Sequence, residues 1–187
     1  MTELCNLAAR YMTDKCPAYG HSYTQWYYDE FNSRRDKIRK VLEIGIGGSP
    51  DNLKHNPNYI TGASLYMWRD FFPNAQVYGV DVLPQLMFED RRIETYLCDQ
   101  RDHKGLLAIL DKTGHDLDLV IDDATHRPVD QVLTALAILP VLSSGAVYVI
   151  EDIYDPSITY YFSDYNCQLI HPWKRLKKDD MLIVIRL

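Results

Sequence analysis

The chain has 187 residues, of which 47% are hydrophobic and 25% are charged, and its net charge is −6. These values are typical of one globular domain and argue against a nucleic-acid partner. No hydrophobic run approaches the roughly 20 residues that span a bilayer, so we expect no membrane partner. The cysteines, Cys5, Cys16, Cys98 and Cys167, are widely spaced, which favours reduced thiols and a cytoplasmic protein.

Residues 1–40 predict an N-terminal helical segment. Thr2 can cap a first helix, and a second helix is expected from Ser22 onward, with aromatic residues at helical spacing. Between the helices, His21 and Tyr23 stand beside a polar turn at residues 13–15. We expect this segment to cover a site in the rest of the chain.

Residues 41–187 alternate predicted strands with predicted helices. The expected strands are 41–44, 76–81, 94–98, 116–121, 145–150, 167–170 and 181–185, and the expected helices are 62–72, 102–113 and 128–139. This order predicts an α/β fold in a single domain of residues 1–187, with a Rossmann-like, doubly wound, mostly parallel sheet of seven strands. The last two strands form an antiparallel β-hairpin. In the third helix of this core, one face is expected to carry Val129, Val132, Leu133 and Leu136.

The first strand of this core ends in a glycine-rich turn. Gly45 and Gly47 allow a tight turn and a close approach of the backbone to a ligand. Glu43, at the end of the strand, can accept hydrogen bonds from a cationic or hydroxyl-bearing group. Residues 49–61 then form a loop long enough to suggest a functional role.

Acidic residues follow at the ends of the later strands. They are Asp81, Asp99, Asp122, Asp123, Glu151 and Asp152. Ligands of open parallel sheets bind beyond the carboxyl ends of the strands. Asp81 can therefore bind both hydroxyls of a ribose, and Asp99 with Gln100 can read an adenine edge, although either aspartate could instead cap the next helix.

The fourth and fifth predicted strands are expected to be neighbours, which brings Asp123, Glu151 and Asp152 together. Three adjacent carboxylates repel one another unless one is protonated or a cation joins them. An all-oxygen set favours Mg²⁺, with Ca²⁺ or Mn²⁺ as alternatives. Because successive strand residues point to opposite faces, we assign Asp123 to the metal and Asp122 to the cofactor side.

These motifs resemble those of a known enzyme family. Residues 43–47 and Asp81 resemble the cofactor motifs of class I S-adenosylmethionine-dependent methyltransferases. Residues 62–68, 78–81, 122–126 and 149–152 resemble the sugar O-methyltransferases of macrolide antibiotic biosynthesis, and residues 13–15 and 21–24 resemble related methyltransferase-like proteins. The resemblance implies S-adenosylmethionine as cofactor and Mg²⁺ held by the matching acids. We also predict cofactor contacts from Ser64 and Val82.

His126 is the predicted catalytic base, and Asp123 is the second residue predicted to be catalytic. A neutral imidazole with a pKa near 6.5 can take a hydroxyl proton around pH 7, and the resemblance gives the matching histidine this role. Coordination of a vicinal diol by a metal would acidify the hydroxyl. The hypothesis is Mg²⁺-assisted O-methylation of a sugar or other small-molecule hydroxyl.

Other readings of the sequence stay open. A metal-independent methyltransferase and a non-catalytic methyltransferase-like binding domain share the same motifs. An NAD-dependent oxidoreductase is disfavoured, because the turn lacks the third glycine of G-x-G-x-x-G and Pro50 fits poorly in a following helix. The methyl acceptor is not identified, and assembly into an oligomer stays open.

Overall fold

The structure is a computed structural model that describes residues 1–47, 60–174 and 177–187. The strands are β1 (Lys40–Ile44), β2 (Gln76–Asp81), β3 (Glu89–Asp90), β4 (Ile93–Leu97), β5 (Leu119–Asp122), β6 (Val147–Ile150), β7 (Asn166–Ile170) and β8 (Leu182–Arg186). The α-helices are α1 (Glu3–Tyr11), α2 (Tyr23–Phe31), α3 (Ala63–Phe71), α4 (His103–Thr113) and α5 (Pro128–Ile138). None of the helices in these ranges is long and apolar enough to cross a membrane.

The strands form one sheet in the order β3-β4-β2-β1-β5-β6-β8-β7. Its centre, β4-β2-β1-β5-β6, is parallel, whereas β8 pairs antiparallel with β6 and β7. The predicted α/β fold is confirmed, including its terminal hairpin. The sheet has eight strands rather than seven, because the two-residue β3 pairs antiparallel with β4 and is too short to leave a sequence pattern.

The chain reverses its direction of travel across the sheet between β1 and β5. Strands β2 and β4 lie on one side of β1, and β5 and β6 lie on the other. Such a switch point opens a crevice at the carboxyl ends of the two central strands. The cofactor turn after β1 and the acids after β5 therefore meet at this crevice.

Strand β1 is buried on both faces of the sheet. Val41 packs in the core cluster beneath α1, α2 and α3, whereas Leu42 and Ile44 pack in the cluster beneath α4 and α5. This alternation follows from the two-residue period of a strand. Helix α1 joins the first cluster through Leu4 and Leu7, so the N-terminal segment shares a core with the sheet.

The apolar face predicted for α5 is largely exposed in the structure. Val132 is buried, but Val129 and Leu133 are 53% and 47% exposed, and Leu136 is also exposed. The helix instead buries polar side chains, among them Gln131 and Thr134. Gln131 Nε2 donates to the carbonyl of Glu151 at 3.0 Å, and Thr134 donates to the carbonyl of Gln100. One hydrogen bond from each side chain offsets part of the cost of burial, although Gln131 Oε1 has no hydrogen-bond partner among the described residues. A hydrophobic pattern cannot anticipate such bonds.

Candidate active site

The glycine turn after β1 lies directly against the segment that follows β5. Gly45 has a φ of +87°, and a Cβ at this position would collide with the backbone of Asp123 and Ala124. The adjacent Ile46 N–H donates to Asp81 Oδ2 at 3.0 Å. A second backbone N–H, that of Leu83, donates to Asp81 Oδ1 at 3.0 Å. The turn thus fixes the Asp81 carboxylate and approaches the Asp123 segment at the same time.

A cavity of about 740 Å³ opens at this edge of the sheet. Most of the residues predicted to bind the cofactor line it: Gly45, Gly47, Ser64, Asp81, Val82, Asp99 and Gln100. Asp123 and His126 line the same cavity, and so do Lys15 and Tyr19 from the N-terminal segment. These seven predicted cofactor residues and the two predicted catalytic residues therefore face one space. Most of the 49–61 loop lies outside the described residues.

Glu43 and Asp122 are not part of the described cavity wall. Glu43 is fully buried, and its Oε2 accepts a hydrogen bond from Trp68 Nε1 at 3.1 Å. Asp122 Oδ1 accepts a hydrogen bond from Gln100 Nε2 at 2.6 Å, and burial raises the pKa of Asp122 to about 7. In this structure both acids act on the cavity through neighbouring side chains. Direct contact between either acid and a cofactor stays a prediction.

Asp99 and Gln100 both have partners within the protein. The Arg101 guanidinium donates to both Asp99 oxygens, at 2.9 and 2.6 Å, and these bonds lower the pKa of Asp99 to about 2. Gln100 Oε1 accepts from the Thr125 N–H at 3.2 Å, while its amide nitrogen bonds Asp122. Gln100 thereby ties the end of β4 to the loop after β5, and its predicted reading of an adenine stays untested.

Asp123 and His126, which line the cavity, form a group suited to a cation together with the buried Asp152. Asp123, His126 and Asp152 each offer one ligand atom, and these atoms lie within 4.8 Å of one another. His126 Nε2 is 3.1 Å from Asp123 Oδ1, and His126 Nδ1 is 3.2 Å from Asp152 Oδ2. His126 and Asp152 have φ values of 56° and 54°, in the left-handed region that few non-glycine residues occupy. The carboxylates of Asp123 and Asp152 are ligands of the kind that Mg²⁺ and Mn²⁺ prefer, so these two acids fit the predicted metal, whereas an imidazole is more usual on Zn²⁺.

The two carboxylates also control the charge of His126. Burial would lower the pKa of His126, but the hydrogen bond and charge of Asp123, together with the charge of Asp152, raise it to about 9. With no divalent cation between the two carboxylates, they hold the imidazole in its protonated form at neutral pH, even though Lys15 also contacts Asp123.

Glu151, predicted as a third metal-binding acid, lies in a different set of contacts. Its Oε2 accepts from the Lys15 ammonium at 2.6 Å, and its Oε1 accepts from the Tyr27 hydroxyl at 2.6 Å. The group of closely spaced ligand atoms found among the described residues contains His126 rather than Glu151. A metal-binding role for Glu151 remains a prediction.

Residues 13–27 contribute more to the site than the sequence indicated. Tyr23 donates from its hydroxyl to Asp152 Oδ1 at 2.5 Å, and His21 Nδ1 lies 2.6 Å from Asp180 Oδ1. Burial and the neighbouring acids raise the pKa of Tyr23 well above its usual value, so it stays a donor. The sequence drew attention to His21 and Tyr23, but it gave Lys15 no role. The partners of Lys15 lie far away in the sequence, and no local pattern reveals them.

The sheet order, the antiparallel final strands and the glycine turn beside Asp81 together define the class I methyltransferase fold. A solved complex of the MycE methyltransferase from the mycinamycin biosynthetic pathway with Mg, SAH and mycinamycin VI matches 99% of this chain. The match has a TM-score of 0.77 and 27% identity, and it covers 54% of that chain. The SAH complex of human methyltransferase-like protein 13 matches with a TM-score of 0.57 and 13% identity over 80% of this chain and 72% of that chain, which supports the fold alone.

The curated relatives that this chain is similar to are sugar O-methyltransferases, the group that the sequence motifs resemble. Mycinamicin VI 2''-O-methyltransferase of Micromonospora griseorubida is 37% identical over 152 residues, which are 81% of this chain and 36% of the relative. A rhamnosyl tetracenomycin-C 2'-O-methyltransferase of Streptomyces olivaceus is 35% identical over 150 residues, 80% of this chain and 37% of the relative. The chain thus spans a little over a third of the length of these relatives. No family model matches the chain.

Proposed function

We propose that this chain binds S-adenosylmethionine and supports transfer of its methyl group to a hydroxyl of a sugar or another small diol, assisted by a divalent cation. The observation that carries the proposal is the close approach of Gly45 to the Asp123 backbone. It sets the cofactor turn beside the acid and the histidine that would serve the acceptor.

The cofactor part of the proposal rests on the turn and on Asp81. The Asp81 carboxylate is held by two backbone N–H groups, yet it still lines the cavity and can accept the hydroxyls of a ribose. When bound, S-adenosylmethionine supplies an electrophilic methyl group on its sulfonium. The MycE complex contains SAH, the demethylated product of such a cofactor.

The metal part of the proposal rests on Asp123, His126 and Asp152. A divalent cation bound there would supply Lewis acidity that lowers the pKa of an acceptor hydroxyl. Asp123 and Asp152 would hold the cation, with Glu151 as a further predicted ligand. Both relatives are named as O-methyltransferases, and the MycE complex contains Mg.

His126 is the residue we propose to accept the hydroxyl proton. It is the least buried member of the group, because 35% of its side chain is exposed, and it lines the cavity, where an acceptor can reach it. The two carboxylates that face it must be neutralised by another cation before its imidazole can accept a proton. Asp123 therefore has two roles in the proposal: it binds the cation and it orients His126.

The test is isothermal titration of S-adenosylmethionine and S-adenosylhomocysteine, with and without Mg²⁺, on the wild type and on Asp123→Asn and His126→Ala. We expect both variants to keep cofactor binding, because Asp123 meets the turn through its backbone. The Mg²⁺ heat should disappear in Asp123→Asn. Sugars and catechols can then be screened as acceptors, and full turnover in either variant would refute the mechanism.

A second candidate function is methyl transfer without a metal. It is favoured by the contact of Lys15 Nζ with both Asp123 and Glu151, because a built-in cation already balances part of the acidic charge. Binding of S-adenosylmethionine with no Mg²⁺ heat in the wild type would support this reading. Loss of cofactor binding altogether would leave a non-catalytic domain.

A further inference from the structure

The charged ammonium group of Lys15 is buried in the protein interior, where charged groups are rare. Its side chain is 2% exposed, and its ammonium lies 2.6 Å from Asp123 Oδ2, 2.6 Å from Glu151 Oε2 and 3.1 Å from Glu43 Oε1. The Glu43 contact lies outside hydrogen-bond geometry and is an ion pair only. A buried ammonium requires such partners, because an unpaired charge is very costly in the interior.

The three acids around this ammonium come from different parts of the site. Glu43 belongs to β1, before the cofactor turn, whereas Asp123 and Glu151 follow β5 and β6. The Asp123 carboxylate is shared: Oδ2 contacts Lys15, and Oδ1 contacts His126. Asp123 therefore lies between a fixed cation and the group suited to a metal.

We propose that Lys15 is a positioning residue, a fixed internal cation that confines a divalent ion to the side of Asp123 that faces His126 and Asp152. This inference rests on the proposed function. Lys15 lines the cavity, but the proposed role acts through Asp123, whose carboxylate Lys15 shares with His126.

The arrangement of charges gives the reason. The oxygens of Glu43, Asp123 and Glu151 surround the ammonium at distances of 2.6 to 3.1 Å. Carboxylate oxygens grouped in this way would attract a divalent cation if the ammonium were absent. While Lys15 is present, it balances the buried acids behind Asp123, and a single ion is needed on the cavity side.

The experiment titrates Mg²⁺ alone into five purified proteins and follows the binding heat. They are the wild type, Lys15→Met, Glu43→Gln, the double variant Lys15→Met/Glu43→Gln, and Lys40→Met. The last is the matched control. Lys40 also forms an ion pair, with Asp116 at 2.6 Å, but it lies at the opposite end of β1. Lys40→Met removes the same charge and should bind Mg²⁺ like the wild type.

In Lys15→Met we expect a second Mg²⁺ equivalent, or at least a threefold gain in affinity for a single ion. The double variant should return to one ion, because it restores the balance of charge. Glu43→Gln should weaken Mg²⁺ binding at least threefold, since Lys15 is then balanced by Asp123 and Glu151 alone. A purely structural lysine would lower the thermal midpoint and leave the stoichiometry and affinity unchanged.

Each possible result either supports or overturns the proposed role of Lys15. If circular dichroism shows that Lys15→Met does not fold, Glu43→Gln and the double variant carry the decision, with the same expected directions. Wild-type Mg²⁺ binding in every folded variant overturns the role of Lys15 and leaves the proposed function intact. Absence of Mg²⁺ binding in the wild type overturns the metal part of the proposed function and the role of Lys15 together.

Discussion

Two residues of the candidate metal group, His126 and Asp152, have left-handed backbone conformations. Such conformations cost on the order of 1–3 kcal/mol and persist only where surrounding contacts impose them. Here the contacts are the bonds of Asp123 to His126 and of Tyr23 to Asp152. Two of the four non-glycine residues with a positive φ among the described residues therefore belong to the group proposed to bind the cation.

The variant Asp152→Asn should be more stable than the wild type and should lose Mg²⁺ binding. Asparagine tolerates a left-handed backbone and can still accept the Tyr23 hydrogen bond. Burial and the nearby Asp123 charge raise the pKa of Asp152, so removing its charge relieves an unfavourable interaction. We expect a gain of about 1 kcal/mol, or roughly 2–4 °C in the thermal midpoint without metal. A lower midpoint would show that the charge of Asp152 stabilises the fold.

Substitution of Gly45 by alanine should abolish binding of S-adenosylhomocysteine and destabilise the protein. The new Cβ adds a collision with the Asp123 backbone to the strain of a positive φ. Gly145→Ala is the matched control, because Gly145 has a φ of +94° but nothing within 4 Å of the added Cβ. The control should lose about 1 kcal/mol in urea unfolding and keep its affinity. Equal effects in both variants would mean that the collision is easily relieved.

The pKa of Asp99 should rise from about 2 toward 3.8 in the variant Arg101→Gln. The Arg101 hydrogen bonds lower this pKa in the folded protein, so their contribution to stability is complete above the unfolded value of 3.8. It is lost as the pH falls through about 2. A pH titration by NMR measures both values. Asp116, whose pKa is lowered by Lys40, serves as an internal reference that should not move.

At the scale of elements, helix α5 shows which features of a helix a hydrophobic pattern can predict and which it cannot. The pattern identified the helix and its first turn at Pro128, because both depend on neighbouring residues. It grouped Val129 and Leu133 on one apolar face, but both are exposed, whereas the polar Gln131 and Thr134 are buried. The reason is that the partners of these polar side chains are loop carbonyls supplied by β4 and β6.

This arrangement predicts that Gln131→Leu destabilises the protein although it places an apolar side chain in the interior. The Glu151 carbonyl would lose its donor, which costs about 1–3 kcal/mol. The reverse change at the exposed position, Leu133→Gln, should stay within about 0.5 kcal/mol of the wild type. Urea unfolding of the two variants measures the difference. A neutral Gln131→Leu would indicate that removal of Gln131 Oε1, which has no hydrogen-bond partner among the described residues, offsets the lost donor.

The ends of the strands could be predicted, and so could most of the cavity wall. Gly45 and Asp123 follow buried strands, Asp81 is the last residue of another, and the carboxyl ends of parallel strands share one edge. The burial of Glu43 could not be predicted, because Trp68 and Lys15 reach it from other segments. Sequence patterns locate the ends of elements, but they do not say which side chain of another element will occupy a position.

At the scale of the whole molecule, the N-terminal segment completes the acidic edge of the sheet. Lys15 reaches acids 108 and 136 positions away along the chain. A sequence pattern does not predict such a contact, because lysine is usually an exposed residue. The burial of Lys15 thus depends on the docking of α1 and α2 on the same face of the sheet.

This assembly predicts that Mg²⁺ stabilises the folded chain. Asp123 and Asp152 are held near each other only in the folded state, so a cation that binds both favours that state. At 100 times its dissociation constant, Mg²⁺ should add about 2.7 kcal/mol, or roughly 5–10 °C in the thermal midpoint. Thermal unfolding with Mg²⁺, and with NaCl at equal ionic strength, measures the shift.

Asp123→Asn should lose the Mg²⁺ shift and keep the shift caused by S-adenosylhomocysteine, because the cofactor turn meets its backbone rather than its carboxylate. An equal Mg²⁺ shift in wild type and variant would place the cation elsewhere.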